Sequence, residues 1–190
     1  MGRMILITGG SGSGKSEYAE KRLSERLEKR KFYVATMMVY GKEGEERVKK
    51  HRSMRAGKGF ETIEQTTELG CIVGRLRQAE EKGGAAVLLE CLSNWVANEL
   101  FAQEDLWREE EKVLQLEERM LQELWDIREH SAALIVVTNE IFSDGISYDA
   151  STLRYQKLLG DMNRKLAQKA DEIIEVMYGI LCMKKSKNRV

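Results

Sequence analysis

The sequence predicts an α/β fold: a mostly parallel central sheet with helices on both faces. Short continuous apolar runs, as expected of strands buried on both sides, alternate with longer charged segments of helical period. Strand, crossover and strand repeat in this way along almost the whole chain, which is the pattern of a doubly wound domain. The first apolar run also leads directly into a glycine- and serine-rich loop and then a helical pattern, the order in which such domains begin.

In chain order the elements are as follows. "MILIT" (4–8) is the first strand, "GGSGSGKS" (9–16) the loop, and a helix is expected over 17–29. "FYVAT" (32–36) is the second strand, followed by helices over 44–55 and 66–82. "AVLLE" (86–90) is a strand whose unbroken apolar run suits a central position. Helices follow over 92–101 and 106–129, the latter amphipathic, with Leu114, Leu121, Leu124 and Ile127 among its apolar positions. "ALIVVT" (133–138), a helix over 150–169, and "EIIEVMY" (172–178) complete the pattern. With no proline in the chain, Gly, Asn, Ser and Asp must set the helix ends.

The 190 residues suit one domain, taken as 1–183, with a basic, solvated tail "KKSKNRV" over 184–190. Thirty-one basic and 31 acidic side chains cancel, so no overall field favours nucleic acid or an anionic membrane. Cys71, Cys91 and Cys182 show no CxxC spacing, which argues for reduced thiols and a cytoplasmic protein rather than a zinc or disulfide framework. No apolar run is long enough to span a membrane, and the first is too short for a signal peptide.

The loop Gly9–Ser16 satisfies G-x-x-x-x-G-K-[ST] between a strand and a helix, the context that gives this motif its meaning. Glycines permit the backbone angles that turn successive N–H groups inward, and the following helix places its positive end at the same point. Lys15 supplies a mobile charge for the β- and γ-phosphates, and the Ser16 hydroxyl can ligate Mg²⁺. The fold class is therefore of the P-loop NTPase type. The loop alone fits kinases, switches, motors and assembly ATPases. A second acidic residue is expected at a neighbouring strand end, and Glu90 is the best placed. Glu140, after "IVVT", also stands at a strand's carboxyl end, where α/β sheets bind ligands; a functional and a structural role are both open to it.

Of the two histidines, His130 lies where a helix meets a strand and reads as a cap or solvated residue. His51 lies among Arg47, Lys49, Lys50, Arg52 and Arg55. Such a stretch can be a solvated helix face. Surrounding cations also disfavour the imidazolium form, and neutral imidazole is a usable nucleophile beside arginines that could offset polyphosphate charge.

Beyond these single features, long blocks of the chain resemble the bifunctional adenosylcobinamide kinase/adenosylcobinamide-phosphate guanylyltransferase family of cobalamin biosynthesis. The blocks are "ILITGGSGSGKSEYAE", "FYVAT", "ERVKKHRSMR", "FETIE", "LLECLSNWVANEL", "VTNE" and "LRYQKLLGDMNRKLAQKADEIIEVMYGI". The most specific are R-[IV]-x-x-H-x-x-x-R (Arg47, Val48, His51, Arg55) and the block containing Gly160, Asn163, Leu166, Ala167, Ala170, Asp171 and Glu172.

The resemblance implies phosphorylation of adenosylcobinamide by ATP or GTP, then transfer of GMP from GTP to the phosphate, giving adenosylcobinamide-GDP. It implies a covalent GMP–histidine at His51, with Lys15 also catalytic. Nucleotide contacts are implied for Gly9, Gly10, Ser11, Gly12, Ser13, Gly14, Lys15 and Ser16, for Ala35, Thr36 and Met37, for Arg52, Ser53, Met54 and Arg55, and for Glu64 and Glu90. It implies Mg²⁺ at Ser16 and Glu90, a corrinoid substrate, no nucleic acid, and a homotrimer. The chain departs from the family where it reads "NEIFSDGISYD" (139–149) in place of a shorter, proline-containing segment.

Overall fold

The computed structural model describes residues 1–38, 57–81, 83–143 and 145–186. They form one seven-stranded sheet of order β3-β2-β4-β5-β1-β6-β7. The strands are β1 (Arg3–Thr8), β2 (Arg30–Ala35), β3 (Glu61–Glu64), β4 (Ala85–Glu90), β5 (Ala133–Val137), β6 (Glu172–Met177) and β7 (Ile180–Ser186). Neighbours are parallel except β6 and β7, which form an antiparallel hairpin. The helices are α1 (Lys15–Ser24), α2 (Val73–Glu80), α3 (Leu92–Leu100), α4 (Glu110–Glu129) and α5 (Ala150–Lys169).

The strand pleat divides the core in two. Met4 and Leu6 of β1, Phe32 and Val34 of β2, Val87 and Leu89 of β4, and Leu134 and Val136 of β5 face one side. Buried residues of α2 to α5 cover that side, Trp95 and Leu124 among them. Ile5, Ile7, Tyr33, Leu88, Ile135 and Val137 face the other side, where α1 places Ala19 and Leu23. Side chains alternate across a strand, so the unbroken apolar runs of β1, β4 and β5 are what two covered faces require.

Several boundaries differ from the sequence expectation. Helix α1 stops at Ser24 rather than at 29, because Leu27 is 97% exposed and nothing beyond Leu23 buries an apolar face. The segment 66–82 becomes a 3-10 turn at Leu69–Ile72 followed by α2, with Glu68 in a left-handed conformation ahead of them. The segment 106–129 becomes a 3-10 turn at Leu106–Arg108, an extended Glu109, and α4. Leu114, counted among its apolar positions, is half exposed.

Two strands carry too little apolar signal to be read from sequence. In β3 only Ile63 is buried, and β7 has no buried residue at all. Both exist because a neighbouring strand offers a free edge, β2 for β3 and β6 for β7. Strand β7 runs through Ser186, into the segment read as a basic tail. The helix expected over 44–55 lies outside the described residues.

Strand β1 has β5 on one side and β6 on the other, the chain having moved first one way across the sheet and later the other. A crevice opens at the carboxyl ends of strands where order reverses in this way.

Candidate active site

The loop after β1 sits at that crevice and is shaped by its glycines. Gly12 has φ 70° and Gly14 φ 91°, conformations in which a side chain is strained. At Gly9 the constraint is space: a Cβ there would lie 2.4 Å from the Val176 carbonyl oxygen. The outer side of the loop is tied down. The Glu140 N–H donates to the Gly9 carbonyl at 3.1 Å, and the Gly179 N–H, from the β6–β7 turn, donates to the Ser13 carbonyl at 3.0 Å. With its carbonyls drawn outward, the loop keeps the N–H groups of Ser11, Gly12 and Gly14 clear of any backbone acceptor among the described residues. Those groups, with the first N–H groups of α1, make a cradle for an anion.

Lys15, only 7% exposed, reaches back over the loop, and its ammonium donates to the Gly10 carbonyl at 3.0 Å. Among the described residues it forms no ion pair, so a buried cation is met by a dipole where a phosphate could sit. Ser16, next along α1, donates its hydroxyl to Glu90 Oε1 at 2.8 Å. Helix α1 lies over β4 and β5, which brings the start of the helix to the end of β4. The hydroxyl and carboxylate give a hard-oxygen pair of the kind that holds Mg²⁺ by one or two protein ligands, the remainder being water and phosphate.

Of the other residues that the sequence points to, Ala35, Thr36, Met37 and Glu64 fall on the same edge, in different roles. Ala35 aligns with Glu64 of β3 on one side and with Glu90 of β4 on the other, so the three form a row across the carboxyl ends. Glu64 is exposed there. Thr36 is fully buried. Its hydroxyl donates to the Cys91 carbonyl and accepts from the Cys91 N–H, both at 2.8 Å, so its side chain holds the ends of β2 and β4 together. Met37 follows, partly exposed, on this edge. His51, Arg52, Ser53, Met54 and Arg55 lie outside the described residues. The chain leaves for that segment beside Glu90 and returns where Lys58 pairs with Glu20 of α1 at 2.5 Å and Phe60 stacks on Tyr33. The returning root thus lies on the α1 side of the sheet. His130 ends α4, with Nδ1 3.2 Å from Glu80 Oε1, next to the amino end of β5 and away from the loop.

A polar lattice that sequence reasoning missed braces the edge from behind. Asn98 donates to the carbonyls of Thr36 and Thr66 at 2.7 and 2.9 Å. Asn139 donates to Ser93 Oγ at 2.7 Å, and Ser93 Oγ lies 3.0 Å from Cys91 Sγ. Burial pushes the Cys91 thiol up, and the Glu90 charge adds to this, so the sulfur stays protonated. Burial likewise pushes Tyr155 up to about 12, keeping a proton to donate to the Ser93 carbonyl at 3.2 Å. The available signal was polar residues inside an apolar helical pattern, at Ser93 and Asn98.

Beside the loop lies a cavity of about 400 Å³. Ser11 forms its loop wall, and Asn139, Glu140, Tyr148, Thr152 and Tyr155 are among the residues around it. The start of α5 is placed by Asp149, whose carboxylate accepts from the N–H groups of Ser151 and Thr152, both at 2.9 Å.

Comparison with known proteins gives a consistent result. The family model for cobinamide kinase / cobinamide phosphate guanyltransferase matches residues 5–183. The bifunctional adenosylcobalamin biosynthesis protein CobU of Escherichia coli (strain K12) is 27% identical over 182 residues, covering 93% of this chain and 97% of that protein. The bifunctional adenosylcobalamin biosynthesis protein CobP of Pseudomonas aeruginosa is 25% identical over 175 residues, covering 92% and 93%. Among solved structures, the ATPase domain of another protein matches with a TM-score of 0.54 over 98% of this chain and 78% of that one. At 13% identity this likeness speaks to the fold alone.

Proposed function

Since the chain belongs to the cobinamide kinase / cobinamide phosphate guanyltransferase family, and so is a bifunctional transferase of cobalamin biosynthesis, we propose that one nucleotide site performs both transfers, with His51 carrying GMP between them. The observation that supports the site most directly is the 2.8 Å contact of Ser16 with Glu90 beside the buried Lys15 ammonium.

In the kinase step the loop amides and Lys15 hold the β- and γ-phosphates in line with the acceptor. The hydroxyl oxygen of the cobinamide aminopropanol arm attacks the γ-phosphorus, and the nucleoside diphosphate leaves with the electron pair of the broken bond. In the guanylyl step a ring nitrogen of His51 attacks the α-phosphorus of GTP. A P–N bond forms and pyrophosphate departs. A phosphate oxygen of adenosylcobinamide phosphate then displaces the imidazole, giving adenosylcobinamide-GDP. Two successive displacements let one site serve two bulky partners in turn. Arg52 and Arg55 offset charge at the attacked phosphate. Mg²⁺ held by Ser16 and Glu90 would supply charge neutralisation on the polyphosphate.

The roots of the segment bearing His51 support this reading: one leaves beside Glu90, and the other returns against α1 through Lys58 and Glu20. The family resemblance also implies a homotrimer, and the exposed apolar residues Tyr178, Ile180 and Met183 of the β6–β7 hairpin would suit a subunit contact. All three cysteines are free, as a reducing cytoplasm would keep them.

The test is incubation with GTP labelled at the α- or the γ-phosphate, followed by precipitation of the protein. Retained α-label, acid-labile and base-stable, is expected in the wild type and absent in His51→Ala, while much of the kinase activity persists. Equal loss of both activities in a folded His51→Ala protein would count against the histidine carrier.

A further inference from the structure

We propose that the cavity beside the loop receives the alcohol-bearing arm of the acceptor, and that Glu140 takes the proton from its hydroxyl in the phosphoryl transfer. The proposal rests on the kinase reading above and adds to it a pocket and a base.

Three observations place the group. The Glu140 N–H is bonded to the Gly9 carbonyl at 3.1 Å, so its backbone is joined to the first residue of the phosphate loop. Its side chain lines the same cavity as Ser11 in the tip of that loop. Its Oε1 accepts from the Phe142 N–H at 3.0 Å and from the Ser143 hydroxyl at 2.9 Å, which fixes the carboxylate plane. Among the described residues, no hydrogen bond is made to Oε2. One oxygen is held and the other is left to accept a proton, the arrangement that general-base chemistry requires.

The size of the cavity identifies what enters. At about 400 Å³ it is in the range of small-ligand sites and far too small for a tetrapyrrole ring with its substituents. An aliphatic arm ending in a hydroxyl fits, with the bulk of the acceptor outside. The walls suit such an arm: Ile141 supplies apolar surface, and Tyr148, Thr152 and Gln156 supply polar groups. The pocket is held open from below, since Gln156 donates to the Ile141 carbonyl at 3.1 Å and Asn139 is tied to Ser93.

The chemistry balances. The acceptor O–H proton passes to Glu140 Oε2 as the O–P bond forms. The bond from the γ-phosphorus to its bridging oxygen breaks, and the diphosphate leaves with those electrons. The guanylyl step has no such need, because its acceptor is a phosphate that is already anionic at neutral pH. Glu140 therefore serves one of the two reactions, and its loss should have the opposite selectivity to the loss of His51.

Glu140→Gln separates this role from a structural one. The amide oxygen of glutamine can still accept from Phe142 and Ser143, so the turn is retained while the base is lost. The full-length protein is assayed with cobinamide and ATP or GTP, with cobinamide phosphate and GTP, and for nucleotide affinity. The expected result is a kcat for phosphorylation lower by about 10²- to 10³-fold. Nucleotide affinity and GMP transfer to cobinamide phosphate should stay within about threefold. Phosphorylation within about threefold of the wild type in Glu140→Gln would overturn the assignment of Glu140 as the base. A second variant, Thr152→Phe, fills the cavity and is expected to raise KM for cobinamide by about tenfold or more without moving that for the nucleotide. An unchanged cobinamide KM would overturn the pocket assignment. The two readings fail separately. Protein lacking α-label in the wild type defeats the histidine carrier and leaves Glu140 in place, whereas a fully active Glu140→Gln defeats only the base.

Discussion

At the amino edge of the sheet, Glu172 is 4% exposed and receives Arg3 at 2.5 Å and Arg22 at 3.1 Å. Nearby, Arg128 donates to the Gly2 and Lys169 carbonyls and to Asp171. At the carboxyl edge, Lys15 is buried almost as deeply, yet its ammonium meets a backbone carbonyl. The difference follows from what each edge must accommodate. A buried charge costs several kcal/mol unless it is answered. At the amino edge the protein answers its own charges and the result is structural. At the carboxyl edge, on the function proposed above, the anion that answers Lys15 comes with the nucleotide, and the polar lattice of Thr36, Ser93, Asn98 and Asn139 supplies the rigidity that ion pairs supply elsewhere.

The contrast can be broken first at Lys15. Lys15→Ala should lower kcat/KM for both transfers by about 10²- to 10³-fold, equal to ~3–4 kcal/mol of transition-state binding, because both need a seated polyphosphate. Its urea midpoint should fall little, since no ion pair to a described residue is lost. A large loss of stability would show that the cation serves the fold and would erase the distinction between the edges.

The converse test is Glu172→Ala. It leaves two arginines facing each other, each with a side chain partly open to solvent (34% and 24% exposed), so the penalty falls short of that for a fully buried pair. A loss of about 2 kcal/mol in urea unfolding is expected, with unchanged turnover per folded molecule. A loss of turnover at full folding would mean that the amino edge also takes part in the chemistry.

The smallest effect is at Asp149, which caps α5 and so sets one wall of the cavity. Hydrogen bonds from the Ser151 hydroxyl, then from the N–H and hydroxyl of Thr152, lower its carboxyl from 3.8 to about 2. With the folded value depressed, its contribution is full above the unfolded value and is lost as pH falls through the folded one. The difference in urea midpoint between wild type and Asp149→Asn should therefore be constant above about pH 4 and shrink between there and about 2. A constant difference across that range would show that charge on the cap contributes nothing.

Much of the candidate site is legible without the structure. Gly9–Ser16 has a motif whose spacing follows from backbone geometry, and Glu90 stands at the end of an unmistakable strand. Thr36 is legible too, but nothing local signals that its hydroxyl is occupied with Cys91, which is 55 residues away. Glu140 reads equally as site or scaffold in the sequence, because its position depends on a bond to Gly9 across the sheet. Strands β3 and β7 escape a sequence reading because local patterning records burial, and these strands have almost none.

What the sequence determined by itself is whatever depends on neighbouring residues: the phosphate loop, the apolar strands, the order of strand and helix, and through matching blocks the family. Periodicity and glycine conformation act over a few residues and are therefore visible in a linear chain. Tertiary structure decided the rest. It set Ser16 against Glu90, closed the β2 and β4 ends through Thr36, paired β7 with β6, and placed Glu140 and α5 around a cavity beside the loop. The site contacts among these join residues far apart in the chain, and they hold because burial strengthens polar contacts and penalises any that are left unmade.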